Sequence, residues 1–168
     1  MILETDRLRL REFLLEDADA LEAVLGDPVA MQFYSSPFDR QGVEAWIERN
    51  LERYQRDGHG LWAMLLKKSN ELIGDCGCVL QEVEGKNEIE VGYHVRRNLW
   101  GKGYATEAAQ ACMDYAFAKL GAQRVISMIR PENVQSRRVA ERTGSSMKEP
   151  YAGAGMTIAS TQEQSSKS

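Results

Sequence analysis

The 168-residue chain is poor in most of the features that announce a function. Its cysteines are Cys76, Cys78 and Cys112, an odd number, which argues against a disulfide framework and fits a reducing, cytoplasmic compartment. Only two histidines are present, and neither His59 nor His94 lies close in sequence to the Cys76-Gly77-Cys78 pair. No metal centre is therefore expected, and the two thiols read as small core residues sharing one face of a strand. No apolar run approaches about 18 residues, which excludes a membrane-crossing helix. An excess of one charge is also missing: 21 basic against 25 acidic residues leave −4, giving no support to nucleic-acid binding. The nucleotide motifs fail as well. No GxxxxGK[ST] loop occurs, and no first strand leads into a three-glycine dinucleotide turn.

What is present is an ordinary globular composition, 43% apolar and 27% charged, in a chain long enough for one substantial core. A single domain over residues 1–160 is expected, with 161–168 a polar tail that has nothing to bury. Met1 to Arg11 carry charges where a signal peptide needs its apolar stretch, so this segment reads as a first strand with Leu8 and Leu10 on one face. A helix is expected from Glu16 to Leu25, a short second one opened by Pro28 through Tyr34, and a third over 39–56. Three meander strands follow over 61–66, 71–83 and 88–95, and then the pattern changes. A helix over 104–119, a strand over 124–129 and a helix over 134–142 make the order α/β, with two short strands closing the chain.

The most informative stretch is Trp100-Gly101-Lys102-Gly103-Tyr104-Ala105-Thr106-Glu107. Two glycines immediately before a helix let the backbone curl until several N–H groups converge, and the helix N-terminus adds its dipole. Arg96, Arg97 and Lys102 supply positive charge beside it, so the stretch reads as a site for a pyrophosphate. A glycine-containing helix entrance with no ligand is the plain alternative.

The segment Glu90-Val91-Gly92-Tyr93, followed by Asn98 to Ala108, resembles the acetyl-CoA-binding signature of the GNAT N-acetyltransferase superfamily, within it the ribosomal-protein-alanine N-acetyltransferase branch. Leu3 to Arg11 resembles that branch's first strand, and Asn133 to Gly144 its late helix. The resemblance implies a mixed, mostly antiparallel twisted sheet with a central V-shaped splay, flanked by helices: the acyl-CoA N-acyltransferase fold. It implies acetyl-CoA as cosubstrate. Pantetheine would lie along Val91, Gly92, Tyr93 and Val95, and the pyrophosphate on the segment Arg96, Arg97, Asn98, Trp100, Gly101, Lys102, Gly103, Tyr104, Ala105 and Thr106. Asn133 would face the pantetheine, Ser136 the thiol end, and Arg138 the phosphates.

The activity implied is transfer of an acetyl group to a primary amine by direct attack in a ternary complex. Glu90 is the expected base, with Glu88 the runner-up and His94 on the same strand face. The resemblance implies a late-helix tyrosine that protonates the leaving thiolate, but position 140 is alanine, so Ser136 or a water would substitute for it or the thiolate departs unaided. Phe33, Tyr34 and Trp62 are the expected acceptor wall, alongside Phe38 and Trp46. The partner is an amine-bearing small molecule or a protein N-terminus, and the chain is a monomer or homodimer. A non-catalytic CoA-binding module on the same fold is the alternative.

Overall fold

The computed structural model describes residues 1–151 and 156–162. Eight strands form one sheet in the order β1-β2-β3-β4-β5-β6-β8-β7. They are β1 (Leu3–Glu4), β2 (Leu8–Arg11), β3 (Leu61–Leu66), β4 (Leu72–Val83), β5 (Lys86–Val95), β6 (Arg124–Ile129), β7 (Ser146–Tyr151) and β8 (Met156–Gln162). The helices are α1 (Ala18–Leu25), α2 (Arg40–Asp57), α3 (Tyr104–Lys119) and α4 (Val134–Arg142). Every strand pairing is antiparallel except that of β5 with β6.

Local chemistry accounts for most boundaries. Asp39 caps α2 by accepting from the Gly42 amide, and Gly58, at φ +81°, ends that helix. Asn133 caps α4 by accepting from the Ser136 amide at 3.1 Å. Between β4 and β5, Glu84 and Gly85 both take positive φ, the geometry of a tight hairpin. The residues after Pro28 form turns instead of the expected second helix. They are too few to repeat a helical pattern before Pro37, and only Met31 among them is buried. Strand β8 extends through Thr161 and Gln162, which pair with Val125 and Arg124, so these two residues belong to the sheet and not to a polar tail. Residues 163–168 lie outside the described residues.

Two apolar layers cover the sheet. On one face Leu8, Leu10, Trp62, Met64, Cys76, Cys78 and Val91 pack under Ala108, Ala109, Cys112 and Ala116 of α3. The small residues on α3 let it approach the sheet closely, and the three thiols are free and buried, as the composition suggests. On the other face Leu61, Ala63, Leu65, Leu72 and Val79 pack under α1 and α2. Period-two alternation along β3 explains this division, since neighbours in a strand point to opposite faces.

The break in the sheet positions the site. Strands β4 and β5 share ten paired positions, whereas β5 and β6 share only Ile89↔Val125 and Glu90↔Ile126. Beyond Glu90 the two parallel strands separate, which is the expected splay. Side chains close its vertex. Glu90 Oε2 accepts from the Met128 amide at 3.0 Å, and the Ser127 hydroxyl donates to the Val91 carbonyl at 2.9 Å.

Candidate active site

A cavity of about 520 Å³ opens beyond this vertex. Its walls are the end of β5 (Tyr93 to Val95), the loop into α3, the first turns of α4, and residues 30–34 between α1 and α2. The sequence-expected residues Tyr93, Val95, Trp100, Gly101, Gly103, Tyr104, Ala105, Thr106, Asn133, Ser136 and Arg138 line it together with Phe33 and Tyr34.

At one end the backbone makes the site. Gly101 and Gly103 have φ of +79° and +81°, the left-handed region that side chains disfavour. Gly103 is the N-cap of α3 and contributes no side-chain acceptor, so the first helical amides face the cavity without a capping partner. The Thr106 hydroxyl oxygen is buried and finds no hydrogen-bond partner among the described residues. A concavity of amide donors, a helix N-terminus and an unsatisfied hydroxyl fit the pyrophosphate of a CoA thioester.

The loop is fixed from the far edge of the sheet. Glu107 accepts from the Thr5 hydroxyl at 2.5 Å, the Arg7 amide at 3.0 Å and Arg7 Nε at 2.8 Å. Arg7 also donates to the Lys102 carbonyl at 2.9 Å and lies 4.3 Å above the Tyr104 ring. Burial opposes ionisation of Glu107, but the Thr5 and Arg7 donors outweigh it and hold the carboxyl below its usual range. Sequence reasoning missed this staple because its partners are about 100 residues apart.

The flanking charges are placed differently from expectation. Arg96 pairs with Glu71 at 2.6 Å and donates to Asn98 at 2.8 Å, while Arg97 pairs with Asp27 at 3.1 Å. Neither guanidinium is aimed at the glycines. Arg96, Arg97, Asn98 and Lys102 therefore shape the loop's outer side instead of lining the cavity, whereas Arg138 and Arg142 do line it.

At the other end side chains make the site. Asn133 and Ser136 stand at the start of α4, and Tyr93 donates its hydroxyl to the Ser136 carbonyl at 2.9 Å across the split. Glu90 lies at the vertex, outside the cavity wall, with Gln81 3.3 Å from its second oxygen. Burial raises its carboxyl above the usual range, against the lowering effect of the Met128 and Gln81 donors. Val91 and Gly92 also lie toward the vertex, short of the wall. Glu88 does not belong here: it pairs with Arg124 at 2.9 Å, near the start of β6, and is withdrawn as a base. Trp62 is likewise corrected. It is 1% exposed and packs edge-on against Tyr115, 5.2 Å away, beneath α3. Its place in β3 turns it to the face opposite Leu61 and Ala63, away from any acceptor.

An unforeseen cluster sits beside Tyr34. The buried Asp75 accepts from Trp46 Nε1 at 2.9 Å, and its other oxygen is 2.8 Å from His94 Nδ1. His94 Nε2 is in turn 2.7 Å from the Tyr34 hydroxyl. The available signal was Asp75 itself, a lone carboxylate in the apolar run Leu72 to Leu80. Among the described residues no cluster of potential metal ligands is present.

Comparison with known proteins gives this geometry a family. Residues 7–146 match the model of the acetyltransferase (GNAT) domain. The chain is 38% identical to YkkB of Bacillus subtilis over 145 residues, covering 84% of this chain and 83% of that protein. It is 34% identical to the N-acetyltransferase p20 of Bacillus licheniformis, covering 80% and 76% respectively. Among solved structures it superposes on an acetyltransferase from Agrobacterium tumefaciens with a TM-score of 0.84 at 27% identity, covering 96% of this chain and 94% of that one. The glycine-containing helix entrance beside a splayed sheet thus belongs to a member of the GNAT acetyltransferase family.

Proposed function

We propose that the protein transfers an acetyl group from acetyl-CoA to a primary amine, on a small molecule or a protein N-terminus. The observation that carries this reading is the continuous cavity running from the amides at Gly101 and Gly103 to Tyr93 and the start of α4, on the open side of the split between β5 and β6. Its glycine end matches a pyrophosphate, and its other end is lined by polar groups from three separate segments. Direct attack needs no covalent enzyme intermediate, so the site requires only donor orientation, a route for the amine proton and stabilisation of the developing charges.

The residues divide this work along the cavity. The loop from Trp100 to Thr106 holds the phosphates, and the unpaired edge of β5 near Tyr93 and Val95 aligns the pantetheine arm. Asn133, while capping α4, and Ser136 border the thioester. Glu90, whose carboxyl burial holds above the usual range, takes the amine proton by way of solvent. Phe33 and Tyr34 close the acceptor side.

The test is incubation with isotopically labelled acetyl-CoA and a panel of small amines and peptides with free N-termini, followed by mass spectrometry. Labelled N-acetyl product, lost on Glu90→Gln, is the expected result. Saturable acetyl-CoA binding with no transfer to any amine would leave a non-catalytic CoA-binding module, and absence of binding would overturn the reading altogether.

A further inference from the structure

Residues 27–38 cross the cavity as a strap tied at both ends. Arg97 holds Asp27 at 3.1 Å near the glycine loop, and Arg130 Nε donates to the Phe33 carbonyl at 3.0 Å, three residues before Asn133. Tyr34 is thereby set at the α4 end of the cavity, 44% exposed and part of its wall. Behind it, His94 and Asp75 continue the hydrogen-bonded line inward, and Asp75 is 0% exposed. Phe38 and Trp46 complete a closed ring of side chains, with Tyr34–Phe38, Phe38–Trp46, Trp46–His94 and Tyr34–His94 centroids 5.5–6.4 Å apart. A buried carboxylate, an enclosed imidazole and a half-exposed phenol therefore form one line that ends in the cavity.

Packing alone gives no reason for that line. The neighbours of Asp75 on β4 are Gly74 and Cys76, and burying a carboxylate among such residues is costly unless donors compensate it. Here both oxygens have donors, which is the arrangement that orients an imidazole for proton transfer. The other hydroxyls of the cavity lack an equivalent supply. Tyr93 is committed to the Ser136 carbonyl, and burial raises its phenol above the usual range. The hydrogen bonds that hold Ser136 are made by its backbone, Tyr104 and Thr106 lie at the glycine end, and Ala140 on α4 has no hydroxyl to offer.

We propose that Tyr34 is a catalytic acid that protonates the thiolate leaving from the donor thioester, with His94 and Asp75 as positioning residues that recharge it. This rests on the acetyl-CoA reading above. When the tetrahedral adduct collapses, the C–S bond breaks and its electron pair stays on sulfur. Sulfur takes the Tyr34 Oη proton, and Oη takes the Nε2 proton of the His94 imidazolium. Asp75 stays ionised and keeps the Nδ1–H bond. The amine nitrogen loses one proton in the same turnover, and through water that proton restores the imidazolium, so no further reactant is needed.

The electrostatics fill this store before the reaction. Burial disfavours charge on His94, but the Asp75 carboxylate at Nδ1 and the Tyr34 oxygen accepting at Nε2 oppose it and raise the imidazolium above its usual range. From α2 the uncharged Trp46 packs edge-on against the ring with Arg49 5.6 Å from the indole centroid, and Glu90 on the same face of β5, itself close to Arg53 of α2, adds a further acidic group.

The experiment has a spectroscopic and a kinetic arm, both on the full chain. Nitrogen-15 NMR of the imidazoles should show His94 doubly protonated at pH 8, with its Nε2 signal shifted in Tyr34→Phe. A neutral His94 there would overturn the proposal. Thiol release from acetyl-CoA, with alaninamide as acceptor and with water alone, should fall about 100-fold in Tyr34→Phe. His94→Gln should fall comparably and the double variant no further, while acetyl-CoA affinity by calorimetry stays within about twofold of wild type. Undiminished release in Tyr34→Phe overturns the acid role and leaves the acetyltransferase reading standing. Acetyl-CoA bound but no thiol released by wild type also overturns it, since no leaving group then needs a proton. No acetyl-CoA binding removes both.

Discussion

The two ends of the cavity are built on different plans. The glycine end comes from consecutive residues, and its donors are backbone amides whose directions follow from two left-handed glycines and a helix start. The α4 end is assembled from Tyr34, Asp75 and His94, which lie on three separate segments and are held by one another's side chains, with Ser136 of α4 bound through its backbone beside them. A backbone site tolerates changes in its surroundings but not in its own dihedrals. A side-chain site behaves the other way, because removing one member strands the rest.

The strongest way to test that contrast is Asp75→Ala. It leaves the His94 imidazolium and the Trp46 N–H buried without their acceptor, a loss of about 3 kcal/mol and a drop in Tm of roughly 10 °C by calorimetry. Gly103→Val acts at the opposite end. Its cost is a strained φ of +81°, and the added Cβ already lies 3.4 Å from Arg7 Nη2. Acetyl-CoA affinity should fall about 30-fold with little change in the α4 end, in keeping with roughly 2 kcal/mol of backbone strain. An equal loss of affinity from Asp75→Asn, which preserves shape, would erase the distinction between the two ends.

Smaller effects sharpen it. Thr106→Val removes a hydroxyl that is unsatisfied without ligand, so acetyl-CoA affinity should fall about fivefold while Tm holds or rises slightly. The ion pairs titrate in opposite senses. His94 is raised from 6.5 to about 10, so its stabilisation is complete below pH 6.5 and is lost as pH rises through about 10. Denaturant melts of wild type and His94→Gln should therefore converge at high pH. Glu107 is held below 4.5, so its contribution is present above pH 4.5 and disappears as the solution is acidified further. Wild type and Glu107→Gln should converge in acid, by the smallest margin of the set.

The same contrast explains what could be read from the sequence. Periodicity places α2, β3, α3, β6 and α4 within about a residue of their observed bounds, because each follows from local patterning and capping. The glycine loop was legible for the same reason, since Gly101, Gly103 and Thr106 are neighbours in the chain. Trp62 was misplaced because strand parity, not residue type, decides which face it joins. Glu88 was misjudged because its partner Arg124 comes from a strand 36 residues later. Asp75 went unread for a further reason. A carboxylate inside an apolar strand is informative only once the imidazole and indole that satisfy it are known, and these arrive from β5 and α2.

On the proposed reading the backbone cradle at Gly101 and Gly103 holds the phosphates of an acetyl-CoA donor. Calorimetric titration of acetyl-CoA into wild type, Gly103→Val and Thr106→Val, each confirmed folded by circular dichroism, tests it most directly. Saturable binding by wild type, weakened about fivefold in Thr106→Val and about 30-fold in Gly103→Val, is the predicted result. Equal affinity in all three, or no binding by wild type, would contradict it.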